Sequence, residues 1–149
     1  MAYMNNPYGA YKQASVKTAS QGKLIVMLYE GAISHLEKAI KLIDENGKIK
    51  ASSIEEYGNQ IQKVLDIINE LQMSLNMDEG GEIAKNLLAL YIFFNKQLME
   101  ATVKHDKKIL TSVHDILKEL HESWVQASNS TANTQSTMQG SSSSFNITG

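Results

Sequence analysis

The chain contains no cysteine, which removes disulfides, thiolate metal sites and cysteine nucleophiles together and points to a reducing compartment. Arginine is absent as well, so all 14 basic side chains are lysine. Without the guanidinium fork that grips guanine edges and phosphates at two points, and with a formal net charge of -2, the chain has little to attract a polyanion, and nucleic acid is not an expected partner. Proline occurs once, at Pro7. The longest purely apolar run, Leu87 to Phe94, is far below the roughly 20 residues needed to span a bilayer, so no membrane insertion is expected. Met1 to Tyr11 has neither the basic start nor the apolar centre of a signal peptide, and the expected location is cytoplasmic.

What remains is a 149-residue chain, enough for one domain with a sizeable core, with an ordinary apolar content of 42%. Between about Thr18 and Ser128 the only helix breakers are Gly22, Gly31, Gly47, Gly58, Gly80 and Gly81, a composition that predicts an all-α fold. Thr18 with Gln21, and Ser53 with Glu56, have the spacing of capping boxes and mark two helix starts. Asn46-Gly47 and Gly80-Gly81 read as stops or turns, and Lys104-His105-Asp106 as a third turn with Asp106 capping the next helix.

Four periodic segments lie between these marks. The first carries Ile25, Tyr29, Ala32, Leu36, Ala39 and Ile43, and the second Ile54, Tyr57, Ile61, Val64, Ile68, Leu71 and Leu75. The third carries Ile83, Leu87, Leu90, Phe94, Leu98 and Ala101, and the fourth Ile109, Val113, Ile116, Leu120 and Trp124. Steps of three and four residues line one face of a helix. Short loops between such helices predict an antiparallel up-and-down four-helix bundle, spanning residues 18–128. An N-terminal segment, residues 1–17, precedes it. Residues 129–149 turn to Ser, Thr, Asn, Gln and Gly without any charge and are expected to be a disordered polar tail.

The chain offers little catalytic chemistry. Gly22-Lys23 lacks the upstream glycine and the following Ser or Thr of a phosphate loop, and Gly80-Gly81 follows no strand, so neither reads as a nucleotide site. His114 and His121 share a helix face one heptad apart, but a di-metal bundle needs Glu three residues before its histidines. Ala32, Thr102, Thr111 and Lys118 stand there instead. Solvent-facing or boundary histidines are the expectation, with no metal or cofactor. His35, in Ser34-His35-Leu36-Glu37-Lys38, is a plain surface histidine on the simplest reading. A histidine phosphotransfer bundle using it is the alternative, since such bundles also carry one exposed His followed by Lys.

One anomaly is a surplus of hydrophobicity. Leu24 to Tyr29 and Leu87 to Phe94 are apolar on all sides of the helix for one to two turns, whereas a bundle helix needs a single stripe. Either these helices are central and touch neighbours on several sides, or they form a groove for a partner's amphipathic helix, helped by the adaptable Met27, Met73, Met77 and Met99.

The region from Tyr8 to about Ala127 resembles the FliS family of flagellar export chaperones. The resemblance is carried first by Tyr8-x-x-Tyr11-Lys12-Gln13-x-x-Val16-x-Thr18-Ala19-Ser20-Gln21-Gly22-Lys23-Leu24-Ile25, continuing through Met27-Leu28-Tyr29-Glu30-Gly31-Ala32-Ile33. Ser74-Leu75-Asn76-Met77-Asp78-Glu79-Gly80-Gly81-Glu82-Ile83-Ala84 is a second block, and the last helix, ending near Trp124, a third. The resemblance implies a chaperone, not an enzyme, that wraps the C-terminal segment of flagellin, prevents its polymerisation and delivers it to the flagellar export gate. It also allows for a homodimer in the client-free state. By the same resemblance the segment around Tyr8 and Tyr11 lies as a lid over an apolar groove, to which Leu24, Met27, Leu28, Tyr29, Leu87, Tyr91 and Phe94 are assigned.

Overall fold

The structure, a computed structural model, describes the backbone of residues 21–137 and side chains as far as Asn129. Among the described residues four α-helices follow one another: α1 Gln21–Lys41, α2 Ile54–Met73, α3 Gly81–Lys104 and α4 Lys107–Thr137. One 3-10 turn, Ala51–Ser53, leads into α2. α1 packs along α2 and α4, and α3 along the same two, which leaves α1 and α3 on a diagonal. The order is antiparallel throughout, since His35 meets Gln60, Tyr57 meets Ala101, and His114 and His121 meet Glu37 and Glu30. This is the up-and-down all-α bundle that the spacing of apolar residues requires.

The turns follow from local chemistry. After α1 the chain reverses around Asp44, whose carboxylate accepts the amides of Asn46 and Lys48 at 2.9 Å each, and Gly47 takes φ 76° to close the loop. Before α3, Asn76 accepts the amides of Asp78 and Glu79 through its side chain and that of Gly80 through its carbonyl at 2.8 Å. At the α3–α4 junction His105 adopts the left-handed conformation with φ 52°, and Asp106 accepts the amide of Lys108 at 2.9 Å, the cap its position suggests.

Three expectations are corrected. Ser53 forms no side-chain cap: it belongs to the 3-10 turn with helical dihedrals, φ -109° and ψ -2°, and its hydroxyl is not aimed at the following amides as an extended cap residue's would be. Glu56 instead accepts from the side-chain Nε2 of Gln60 at 2.5 Å. In α4 the buried line is Leu110, Val113, Leu117 and Trp124, while Ile109, Ile116 and Leu120 flank it half-buried. A broad apolar face satisfies two phases of the same period, and packing against α1 selects one. Finally, Ile54 and Ile83, expected on the inward lines of α2 and α3, face solvent. The backbone of α4 is described as far as Thr137. The Thr18 helix start, the segment 1–17 and residues 138–149 lie outside the described residues.

Candidate protein-binding surface

The two apolar runs have different fates. In α1, Leu24, Ile25, Leu28 and Tyr29 are buried and Val26 and Met27 half-buried, because α1 packs most extensively, against α2 on one side and α4 on the other. For this run the central-helix reading holds. In α3, Leu87, Tyr91, Phe94 and Leu98 face the core, but Ile92, Phe93, Met99 and Val103 face solvent, with Val103 80% exposed. Ile92 is 52% and Met99 62% exposed. Leu88 and Ala89 lie on the same outward side, half-buried and exposed. The surplus in α3 is therefore not consumed by the bundle.

Of the residues assigned to a groove, Leu24, Leu28, Tyr29, Leu87, Tyr91 and Phe94 are core side chains in this conformation, and only Met27 reaches the surface. Tyr8 and Tyr11 lie outside the described residues. Of the apolar groups that do face solvent, Ile92, Phe93 and Val103 were hidden by the choice of the inward phase, Ile54 and Ile83 were expected on that phase, and Met73, Met77 and Met99 were expected to help form a groove. The signal that could have found them is the second stripe, Leu88, Ile92, Met99 and Val103, running at steps of four, seven and four residues.

The polar groups are structural in character. Gln60 is a buried polar residue; its amide nitrogen donates to Glu56, so its oxygen faces His35 Nδ1 at 2.7 Å and that nitrogen carries the proton. The expected plain surface histidine is thus a half-buried link between α1 and α2. Burial holds its pKa below the usual histidine value, aided by Lys63 and Lys38 and opposed by the Gln60 bond and Glu56. His114 and His121 sit at the α1–α4 boundary, 2.8 Å from Glu37 and 3.0 Å from Glu30. No group of three or more metal-ligating side chains occurs among the described residues. A shallow depression where the α1–α2 and α3–α4 loops meet, lined by Asp44, Glu45, Lys104, His105, Asp106 and Lys107, is mixed in charge. Among the described residues no helix is long and apolar enough to cross a membrane.

The model of the family described as flagellar protein FliS matches residues 4–131. The chain belongs to the FliS family. It is 36% identical over 127 residues to the flagellar secretion chaperone FliS of Vibrio cholerae, covering 83% of this chain and 89% of that protein. The flagellar secretion chaperone FliS of Salmonella typhimurium is 36% identical over 124 residues, or 80% of this chain and 87% of its own. That of Bacillus subtilis is 31% identical over 124 residues, with 83% and 87% covered. FliS proteins are chaperones, not enzymes, which agrees with the poverty of catalytic groups and leaves the phosphotransfer reading of His35 without support.

Proposed function

We propose that this FliS-family chain is a cytosolic export chaperone that binds the C-terminal region of flagellin, keeps it from polymerising prematurely and escorts it to the flagellar type III export apparatus. The observation that carries the reading is the outward apolar face of α3 on a chain of a secretion-chaperone family. A soluble bundle gains nothing for its own fold from Ile92, Phe93, Met99 and Val103 in water, whereas an amphipathic client helix laid along them buries apolar area at roughly 25 cal/mol per Å². A client that folds as it binds loses part of that gain to ordering, so an extensive contact stays releasable. The chaperone needs no cofactor for this. Tyr8 and Tyr11 are proposed to cover apolar surface until the client displaces them, and Met27, at the half-buried edge of α1, to border it.

Calorimetric titration with C-terminal flagellin fragments tests the proposal. Binding is expected with a negative heat-capacity change. Ile92→Asp is expected to weaken it at least tenfold while leaving thermal stability within about 0.5 kcal/mol of the parent, as surface substitutions do. Unchanged affinity in that variant would place the client elsewhere.

A further inference from the structure

The outward face of α3 carries a single cation in the middle of its apolar residues. Leu88, Ile92, Met99 and Val103 follow one line along the helix, and Lys96 occupies the place on that line between Ile92 and Met99. α3 has two other lysines besides it in its exposed series, and each has a carboxylate of its own. Lys85 is 3.7 Å from Glu82 and Lys104 is 3.0 Å from Glu100. Lys96 is exposed and makes no ion pair among the described residues. With Glu100 already engaged by Lys104, Lys96 stands unmatched at the centre of a surface otherwise suited to covering.

A second copy of this chain does not match it. A two-fold contact of the strip with itself runs either antiparallel or parallel. The midpoint of Leu88 to Val103 falls between Asn95 and Lys96, so an antiparallel pairing centred on the strip brings the two Lys96 side chains together beside the axis. A parallel pairing sets them directly opposite. Both place two ammonium groups in a contact that excludes water, where like charges are costly.

From this placement we infer that the occupant of the α3 strip is a different chain: an amphipathic helix with a carboxylate midway along its apolar stripe, positioned to meet Lys96. The inference rests on the reading of this strip as the client surface. A helix that spans Leu88 to Val103 covers about four turns, at 1.5 Å per residue. Its apolar residues, spaced three and four apart, lie over Leu88 and Ile92 at one end and over Met99 and Val103 at the other. The carboxylate fixes which way and how far along it sits, because a slip of one turn sets the anion against an apolar side chain and an apolar side chain against Lys96. The charge pair contributes modest affinity and mainly sets register.

The probes are three helical peptides of 18 residues with one identical apolar stripe and Glu, Gln or Lys at the central position. Each is titrated into the full chain and into its Lys96→Glu and Ile92→Asp variants. The expected order on the parent is Glu over Gln over Lys, with about five- to tenfold between the extremes, and the order reverses on Lys96→Glu. Ile92→Asp weakens all three. Equal affinity of the three peptides, with Ile92→Asp still abolishing binding, overturns the charge match and leaves the client surface standing. Binding that ignores Ile92→Asp overturns the surface and the inference with it. Self-association of the parent in sedimentation that Ile92→Asp abolishes assigns the strip to a second copy and overturns it too.

Discussion

Tyr29 of α1 and Tyr91 of α3 meet hydroxyl to hydroxyl at 2.6 Å across the diagonal of the bundle, joining the two helices that do not otherwise pack side by side. Both rings are buried, and burial is the main reason both phenols are pushed up, that of Tyr91 to about 12 and that of Tyr29 further. Trp124 stacks on Tyr29 with ring centroids 6.5 Å apart. The two hydroxyls are therefore each other's polar partner inside an apolar core. Removing either one strands the other. Tyr29→Phe and Tyr91→Phe are each expected to cost about 1 to 3 kcal/mol, the cost of one stranded buried group. The double variant is expected to cost less than the sum. Urea unfolding of the four proteins measures this, and additive losses would show that the hydroxyls act independently.

The glycines separate in the same kind of measurement. A Cβ on Gly80 would run into the Cβ of Ala84 and lie 2.7 Å from the carbonyl oxygen of Asn76. That oxygen belongs to the turn and accepts the amide of Gly80, so it cannot retreat without breaking the turn. Gly80→Ala is expected to destabilise by more than about 1 kcal/mol. Gly58 lies inside α2 with nothing within 4 Å of a built Cβ. Gly58→Ala is expected to stabilise by roughly 0.5 to 1 kcal/mol through helix propensity and a less flexible unfolded chain. A loss at Gly58 would reveal a contact that the open space there does not suggest.

Truncation after Asn129 is expected to change the melting temperature by no more than a few degrees. Trp124 is the last buried large side chain described in α4, and Val125 to Asn129 are half-buried or exposed. The residues removed are uncharged and mostly small and polar, so they offer little apolar area against an ordering entropy of about 1 to 2 kcal/mol per residue. A larger drop in a calorimetric scan would mean that the tail packs on the bundle.

The bundle was legible in the sequence because turn chemistry and period agreed: Asp44 to Gly47, Asn76 to Gly81 and His105-Asp106 all stop the helices where the apolar spacing breaks. What escaped was phase and partnership. The α4 pattern admits both Ile109-Val113-Ile116-Leu120 and Leu110-Val113-Leu117-Trp124, and only contact with α1 decides. The Glu30–His121 and Glu37–His114 pairs join residues 91 and 77 positions apart, although each partner set repeats at one heptad. Likewise Leu87 to Phe94 looked like one groove wall, yet alternate members serve opposite faces, Tyr91 and Phe94 inward and Ile92 and Phe93 outward. An all-apolar run states that both faces are covered at some time, not by what.

The His35–Gln60 contact makes the α1–α2 pair sensitive to acid. The ring faces Glu56, Gln60 and Lys63 from α2 and Lys38 from its own helix; burial and the two lysines outweigh the Gln60 bond and Glu56, so the folded pKa lies below the unfolded value of about 6.5. Above about pH 6.5 the ring is neutral in both states and its contribution is complete. As the pH falls the unfolded chain takes up the proton first, so stability declines until the folded ring protonates as well. The comparison with His35→Gln isolates the His35 part. That variant keeps an amide donor for Gln60 but cannot titrate. Between pH 7.5 and 5, the parent is expected to lose more melting temperature than His35→Gln, and NMR titration of the His35 ring is expected to give a midpoint below 6.5. A midpoint at or above 6.5, or parallel losses in the two proteins, would show that the Gln60 bond and Glu56 outweigh burial and the neighbouring lysines.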